Sequence, residues 1–119
     1  MTKYITAVLI VLIALMEFGQ AEEDTVSAED AIENGKAIAF ERRKGNCLAC
    51  HVIEGGELAG NYGPPLVSMK ARYPDREKLR EQIWDASIRD PNTRMPPFGR
   101  HQILTEEEID LVVDYILTL

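Results

Sequence analysis

The sequence predicts a small all-α domain built from three main helices and long connecting loops. Three segments carry helix-capping residues followed by apolar residues at helical spacing, namely 27–44, 75–86 and 105–116. A stretch rich in glycine and proline, residues 52–74, follows the first segment. So long a loop argues against a compact fold unless it wraps a large apolar body. The C-x-x-C-H motif at positions 47–51, just before this loop, indicates what that body is.

The first helix begins behind Ser27, whose side chain can cap its N-terminus, and Asp30 completes a variant of the capping box. We expect the helix to end near Lys44, with Gly45 as its C-cap residue. Small and apolar side chains follow at helical spacing: Ala31, Ile32, Gly35, Ile38 and Ala39. Side chains this small allow another helix to approach closely.

The second helix follows Pro74 and has Asp75 as its N-cap, while Leu79, Ile83 and Ala86 form its apolar face. Charged side chains of both signs lie between these positions. For them we predict a solvated face and no further role: Arg76, Glu77, Lys78, Arg80 and Glu81.

The third helix has the clearest signals. Thr105 and Glu108 can form a capping box, and Leu104 can pack on Ile109 as a hydrophobic staple. An apolar stripe then continues along the helix: Ile109, Val112, Val113 and Ile116. The acidic run 106–108 is explained by the helix dipole, so we predict no docking site there.

The C-x-x-C-H motif is the attachment signature of a c-type haem. Cys47 and Cys50 can each form a thioether to one haem vinyl group, and His51 can bind the iron as proximal ligand. Zinc would need two further ligands, but the chain has two cysteines and one other histidine, His101. A redox-active dithiol would usually follow a strand, and no strand-rich stretch precedes Cys47. The motif therefore predicts one covalently bound haem c.

The sixth iron ligand decides what chemistry a haem can perform. We predict Met95, because the prolines that follow it keep its segment extended and free of helical pairing. Met69 is predicted to pack in the core, and His101 is predicted to be an ordinary surface residue, but both are alternative ligands. Histidine and methionine together leave no open position on the iron. We therefore predict electron transfer and no activation of small molecules.

The N-terminus has the pattern of a signal peptide. Lys3 supplies a positive charge, residues 5–16 are almost wholly apolar, and small residues ending at Ala21 form a cleavage site. The apolar run is shorter than the ~20 residues needed to span a bilayer, and an uncleaved membrane anchor is the alternative. We therefore assign residues 1–21 to a cleaved signal peptide and residues 22–119 to one periplasmic cytochrome domain.

Charge limits the classes of partner. The net charge is −7 at pH 7, and no basic cluster of the kind that follows phosphates is present, so nucleic acid binding is excluded. We expect the polar groups of Tyr62 and Trp84 to reach the haem propionates, with ordinary packing as the alternative. Positive side chains gather around the predicted methionine ligand, and we predict that they seat a partner subunit or a redox partner, with plain solvation as the alternative: Arg89, Arg94, Arg100 and His101.

Residues 63–66, Gly-Pro-Pro-Leu, resemble the Gly-Pro-x-Leu segment of class I cytochromes c. The resemblance implies the class I cytochrome c fold, wrapped around one covalent haem. It also implies that the Pro64 carbonyl accepts the second ring proton of His51 and that Leu66 covers the ring. Both residues are therefore predicted to belong to the haem site.

Four segments together resemble the SoxX family, the monohaem cytochrome subunits of SoxAX complexes in sulfur-oxidising bacteria: 45–51, 61–66, 94–99 and 104–109. The resemblance implies the electron-transfer subunit of a periplasmic L-cysteine S-thiosulfotransferase, which couples thiosulfate oxidatively to a cysteine of the SoxYZ carrier. The SoxA subunit would hold the catalytic haem. This chain would pass the electrons to a soluble cytochrome c and would not be catalytic alone. The alternative is a free class I electron carrier outside any enzyme complex.

Overall fold

The computed structural model describes residues 27–119, and the signal peptide predicted for residues 1–21 lies outside this range. Within the described range the chain forms helices and loops and no strand, so the predicted all-α class is confirmed. No helix in this part of the chain is long and apolar enough to cross a membrane. The elements are α1 (Ala28–Phe40), a 3-10 turn (Cys47–Ala49), α2 (Met69–Arg72), α3 (Arg76–Trp84), a second 3-10 turn (Ala86–Ile88) and α4 (Glu106–Ile116).

The helices α1 and α4 cross with their backbones in direct contact. Gly35 is buried at the crossing, where a Cβ atom would overlap the carbonyl oxygen of Leu111 and lie 3.0 Å from Cβ of Tyr115. Ala39, one turn further along α1, is fully buried. The small residues of α1 therefore set the distance between the two helices.

The helix α1 is shorter than predicted. It ends at Phe40, before Lys44, because Glu41 is extended (φ −67°, ψ 120°). The Glu41 carboxylate accepts a hydrogen bond from the Arg43 backbone N–H at 3.1 Å, which stabilises a turn in place of further helix. Gly45 is consequently not the C-cap of this helix. Its N–H instead donates to a carbonyl of the last helical turn at 3.1 Å.

The second predicted helix corresponds to α3. Asp75 caps it as predicted, since its side chain accepts from the Glu77 N–H at 3.0 Å. The helix ends at Trp84, so Ala86 lies in the following 3-10 turn and not on the helix. Ala86 is nevertheless fully buried, which agrees with its predicted position on an apolar face. Asp85 caps the 3-10 turn with its side chain and thereby ends the α-helix.

The charged face of α3, predicted to be only solvated, joins α3 to α4. Arg76 donates to Asp114 at 2.8 Å and to Asp110 at 3.1 Å. Arg80 donates to Asp110 at 2.9 Å and also to Glu106. The prediction was wrong for Arg76 and Arg80, because helical spacing shows that a face is polar but not which charged face lies opposite. The other three side chains of this face are exposed as predicted: Glu77, Lys78 and Glu81.

The third predicted helix corresponds to α4, and its capping box is confirmed. Thr105 Oγ1 accepts from the Glu108 N–H at 3.1 Å, and the Glu108 carboxylate accepts from the Thr105 N–H at 3.1 Å. The acidic run has partners in addition to the helix dipole, since Glu106 pairs with Arg80 and Glu108 pairs with Lys44. The start of α4 is therefore tied both to α3 and to the chain after α1.

One hydrophobic core holds these elements together. The apolar stripe predicted for the last helix and its staple residue are almost completely buried: Leu104, Ile109, Val112, Val113 and Ile116. The short helix α2, which the sequence did not predict, adds Met69 at 2 % exposure. The Met69 N–H donates to the Leu119 carbonyl at 2.8 Å, so the end of the chain holds α2 in place.

Candidate haem site

A cavity of about 440 Å³ opens between the C-x-x-C-H motif, the loop before α2, helix α3 and the segment before α4. This volume falls within the range of ~300–1,000 Å³ that is usual for ligand and cofactor pockets. The six residues that the sequence assigns to haem attachment, iron ligation and the proximal loop all line it: Cys47, Cys50, His51, Pro64, Leu66 and Met95. The fold therefore brings the predicted site residues together around one space.

The motif is folded so that its chemical groups share one cavity wall. Asn46 adopts a left-handed conformation (φ 47°), and a 3-10 turn follows over Cys47–Ala49. The backbone N–H groups of Cys50 and His51 both donate to the Cys47 carbonyl, at 3.2 and 2.9 Å. Because of this tight turn, both thiols and the imidazole line the same cavity.

Cys47 and Cys50 are half-buried and form no disulfide. Burial raises the pKa of the Cys47 thiol to about 11, whereas the reactive cysteine of a redox dithiol has a lowered pKa. Within residues 27–119, no three His, Cys, Asp or Glu side chains are grouped so that they could hold a metal ion. These observations weigh against the zinc and dithiol alternatives.

One hydrogen bond orients the His51 ring. Its Nδ1 lies 2.7 Å from the Pro64 carbonyl oxygen. A carbonyl oxygen can only accept, so Nδ1 carries the proton and donates it. This tautomer leaves the lone pair of Nε2 for a metal ion. The contact is the one that the resemblance to class I cytochromes c implies for Pro64.

The close approach of the loop to the His51 ring requires glycine at position 63. A Cβ atom on Gly63 would overlap the Cε1, Nδ1 and Nε2 atoms of His51. Backbone hydrogen bonds fix the loop on both sides of its two prolines, from Gly63 to Cys50 at 2.8 Å and from Leu66 to Val52 at 2.9 Å. Leu66 is 9 % exposed and forms part of the cavity wall.

Two methionine thioethers lie at the cavity, and the second histidine does not. Met95 is half-buried in a segment without helix or strand, and its N–H donates to Thr93 Oγ1 at 3.2 Å. Met69 also lines the cavity, but it is 2 % exposed and belongs to the hydrophobic core, as expected for a packing residue. His101 is exposed and lies outside the cavity wall, which weighs against it as a ligand.

Much of the remaining wall is apolar. Helix α3 contributes Leu79 and Ile83, the segment before α4 contributes Phe98, and α4 contributes Val112 and Ile116. All five side chains belong to the hydrophobic core. The cavity is therefore continuous with the core, and an apolar ring system placed there would be packed from several elements at once.

Five cationic side chains line the cavity, and no carboxylate of residues 27–119 does, in a chain whose net charge is −7. They are Arg42, Arg43, Lys44, Arg72 and Arg94. Haem carries two propionates, and cationic side chains bind such carboxylates strongly. Sequence reasoning missed these residues as cavity residues, although the basic run 42–44 directly before the motif was a signal that could have found three of them.

The two aromatic residues expected at the propionates have different surroundings. Tyr62 lines the cavity and is 71 % exposed, with the Arg94 guanidinium 5.1 Å from its ring centroid. Trp84 does not line the cavity, because its Nε1–H donates to Glu106 at 3.0 Å and its ring packs against Gly99. Trp84 therefore joins α3 to the loop before α4. This is ordinary packing, the alternative to a contact with the haem propionates.

The positive group predicted around Met95 is smaller than expected. Arg100 pairs with the buried carboxylate of Asp85, with Nε 3.0 Å from Oδ2, so much of its charge is compensated. Arg89 and Arg94 are exposed, and neither forms an ion pair with any residue in the range 27–119. The seating of a partner on this group stays a prediction.

The donor set of the cavity fits a c-type haem. It combines two thiols, an imidazole with a free Nε2, a thioether, an apolar wall and several cations. A haem at this position would have partners for its vinyl groups, its iron, its ring faces and its propionates. No other cofactor considered from the sequence accounts for all of these groups together.

Two comparisons with known proteins agree with this interpretation. Residues 30–116 match the family model described as "Cytochrome C oxidase, cbb3-type, subunit III". An "Uncharacterized lipoprotein" of Aquifex aeolicus (strain VF5) is 37 % identical over 75 residues, which are 62 % of this chain and 36 % of that protein. The matched part of this chain thus spans about a third of the length of the curated relative.

Proposed function

The chain belongs to the c-type cytochrome family described as "Cytochrome C oxidase, cbb3-type, subunit III", and from this premise we propose that it is an exported one-electron carrier with a single covalently bound haem c. A c-type cytochrome has an electron-transfer role. The proposal adds attachment through Cys47 and Cys50 and iron ligation by His51 and Met95.

The observation that carries this proposal is the convergence of four groups on one cavity. Two thiols and the His51 imidazole come from the 47–51 motif, the Met95 thioether comes from the segment before α4, and all four groups line one cavity. Packing alone would favour apolar residues there, and it gives no reason for the His51 proton to be held on Nδ1. The arrangement is what an iron porphyrin requires.

A bound haem would supply a reversible change between ferrous and ferric iron. His51 and Met95 would hold the iron, and two protein ligands of this kind favour electron transfer over the binding of small molecules. The thioether of Met95 would favour the ferrous state, and Pro64 holds the proton of His51 on Nδ1 so that Nε2 remains free for the metal. The apolar wall would keep water away from the bound ring. Together these residues favour electron transfer.

The ligand assignment is tested by replacing Met95 with alanine in the haem-loaded protein. We expect Met95→Ala to lose the far-red charge-transfer band of ferric haem that is ligated by histidine and methionine. Met69→Leu is the matched control, because Met69 lines the same cavity but is buried in the core. Loss of the band in the Met69 variant, with the Met95 variant unchanged, would move the ligand to Met69.

Export follows from the chemistry of attachment and from the N-terminal pattern. Haem c is attached outside the bacterial inner membrane, and residues 1–21 have the charge and apolar pattern of a signal peptide. The relative named as a lipoprotein is consistent with an exported location. N-terminal sequencing of the protein from a periplasmic extract tests the proposal. A start near Glu22 supports cleavage, and retention of residues 1–21 in the membrane fraction supports the anchor.

As a finer assignment we propose that the protein is the electron-transfer subunit of a SoxAX thiosulfotransferase. The support is the combination of motifs at 45–51, 61–66, 94–99 and 104–109, together with the cysteine inventory. The chain has two cysteines in all, and haem attachment uses both, so none remains for sulfur chemistry. In this role the chain accepts electrons from thiosulfate coupling at SoxA and passes them to a soluble cytochrome c.

Co-purification separates this assignment from its alternative. A stable stoichiometric complex with a haem-containing SoxA subunit, and reduction of this haem by thiosulfate only when SoxA and SoxYZ are present, would support the SoxAX assignment. A monomer at micromolar concentration that exchanges electrons with several cytochromes would support the free class I carrier instead.

Charge reversal tests the predicted docking role of the positive side chains. Arg94→Glu reverses a charge at the cavity wall, whereas Arg89→Glu reverses an exposed charge outside it. We expect the Arg94 variant to bind an acidic partner more weakly, with a smaller dependence of affinity on salt. Equal affinity and salt dependence in wild type and both variants would exclude docking through this group.

A further inference from the structure

We propose that Arg72 is a positioning residue for the proximal histidine and that it acts through the Pro64-Pro65 segment. The proposal rests on the proposed ligation of haem iron by His51. It concerns the geometry that holds the Pro64 carbonyl in front of Nδ1. The sequence gives no indication of such a role, since Arg72 lies in a segment that resembles an ordinary surface turn.

The segment that orients His51 has few contacts of its own. Proline has no N–H, so neither Pro64 nor Pro65 can donate a backbone hydrogen bond. Both residues are exposed. The hydrogen bonds that fix the loop are made by the residues on either side, Gly63 and Leu66. Between them, the Arg72 guanidinium donates from Nη1 to the Pro65 carbonyl at 2.9 Å.

Holding the Pro65 carbonyl also holds the Pro64 carbonyl. The two carbonyls belong to successive peptide planes that meet at Cα of Pro65. The ring of Pro65 fixes φ near −65°, so ψ of Pro65 is the only soft torsion between the planes. Arg72 and the Leu66 N–H restrain the second plane, and this restraint fixes the direction in which the Pro64 carbonyl faces His51.

The position of Arg72 is itself well determined. It is the last residue of α2, its backbone N–H donates to the Ser68 carbonyl at 3.1 Å, and its Nη1 lies 3.3 Å from Sδ of the buried Met69. No carboxylate of residues 27–119 forms an ion pair with it. Its guanidinium is therefore available to the loop carbonyl.

The direction in which the reduction potential changes distinguishes a positioning role of Arg72 from an effect of its charge alone. A hydrogen bond from Nδ1 makes the imidazole a stronger ligand and stabilises ferric iron. Releasing the Pro64 carbonyl should therefore raise the reduction potential of the haem. Removing a positive charge near the cavity without disturbing the loop should lower the potential, because ferric iron is the more positive state.

The experiment compares Arg72→Met with Lys70→Met in the haem-loaded protein. Lys70 is an exposed cation on the same short helix, and its side chain forms no hydrogen bond or ion pair with any residue in the range 27–119, so its replacement reports the loss of charge alone. We expect the Arg72→Met potential to lie above that of Lys70→Met. By NMR of the ferrous protein, we expect the His51 Nδ1–H to exchange about fivefold faster in Arg72→Met, as loss of one hydrogen bond implies. Arg72→Lys should restore part of both values.

A second variant covers the case in which Arg72→Met does not fold. Pro65→Ala keeps Arg72 but frees φ at position 65, and it should raise the potential in the same direction. An Arg72→Met potential equal to or below that of Lys70→Met, with unchanged exchange of the His51 proton, would overturn the proposal. Absence of histidine ligation in the wild-type spectrum would instead overturn the proposed function, so the two failures can be told apart.

Discussion

At the scale of single residues, two features of the loop before α2 shape the haem site: the missing side chain of Gly63 and the backbone carbonyl of Pro64. Gly63 has no side chain, so its backbone can lie against the face of His51. The Pro64 carbonyl accepts from Nδ1 of His51 at 2.7 Å. The missing side chain of Gly63 lets the loop lie against the ring, and the Pro64 carbonyl determines which ring nitrogen carries the proton. A substitution that adds a side chain at Gly63 is therefore expected to disturb the site directly.

Gly63→Ala is the sharpest variant of this kind. The added Cβ would overlap three atoms of the His51 ring, so either the ring or the loop must move. We expect less covalent haem per protein and a loss of about 1–3 kcal/mol in the free energy of unfolding, as for other overpacked sites. Val67→Ala, an exposed position in the same loop, is the control. Full haem content and normal stability in Gly63→Ala would contradict the contact with His51.

At the scale of elements, charged pairs align α3 with α4. Arg76 and Arg80 bridge to three carboxylates of α4, and Asp110 accepts from both arginines. A network of this kind contributes more than isolated surface pairs, which are worth about 0–1 kcal/mol each. Because α3 and α4 both supply cavity residues, the network also sets the width of the haem site.

Arg80→Met should therefore cost more than Lys78→Met. Arg80 contacts two α4 carboxylates, whereas Lys78 pairs, within the described residues 27–119, only with Glu81 of its own helix. We expect a loss of about 1–2 kcal/mol for the first variant and at most about 0.5 kcal/mol for the second, from denaturant titration of the haem-loaded protein. Equal losses would show that the contacts between the helices contribute nothing beyond a surface pair.

The same network predicts a loss of stability in acid. The hydrogen bonds from Arg80 hold the pKa values of Asp110 and Glu106 below their usual range. A carboxylate with a lowered pKa stabilises the folded state above its unfolded pKa, about 4, and this contribution disappears as the pH falls through the folded value. We expect the free energy of unfolding to fall below about pH 5. The fall should be shallower in Arg80→Met, and equal slopes would contradict the assignment.

At the scale of the whole molecule, one cavity lies where the motif, the glycine- and proline-rich loop, α3 and α4 meet. Filling it with haem would complete the core, whereas an unfilled cavity of about 440 Å³ would cost up to ~10 kcal/mol at ~24 cal/mol per Å³. The open mouth admits water, so this value is an upper bound. It is nevertheless comparable with the whole stability of a typical domain, about 5–15 kcal/mol.

A variant that cannot attach haem should therefore be poorly folded. We expect Cys47→Ser/Cys50→Ser to lose most of its helical circular dichroism and to be cleaved rapidly by protease in the loop 52–68. The expected loss comes from the missing haem packing, because each Cys→Ser exchange by itself changes one atom of a side chain. A single Cys47→Ser variant, which keeps the attachment through Cys50, should lie between the wild type and the double variant in helical content and in protease resistance. A stable, protease-resistant double variant would show that the protein core suffices alone.

The parts of the fold and site that could be predicted from the sequence depend on local chemistry. A capping box at Thr105 and Glu108 involves residues three positions apart, and the apolar stripe behind it reports one buried face. The spacing in C-x-x-C-H brings two thiols and an imidazole together within a single turn. Such features need no knowledge of what packs opposite them, and they sufficed to predict the all-α class and the thiols and imidazole at the cavity, but not its cationic lining.

Tertiary structure alone decided which distant groups meet. The pairing of Arg76 and Arg80 with α4, the bond from Trp84 to Glu106 and the contact of Arg72 with Pro65 all depend on partners that the helical period does not identify. A long charged side chain has a similar free energy whether water solvates it or a distant charge pairs with it. Its neighbours in sequence therefore do not determine which of the two occurs. The sequence by itself determined the local chemistry of a haem site, and the fold decided which residues hold that chemistry in place.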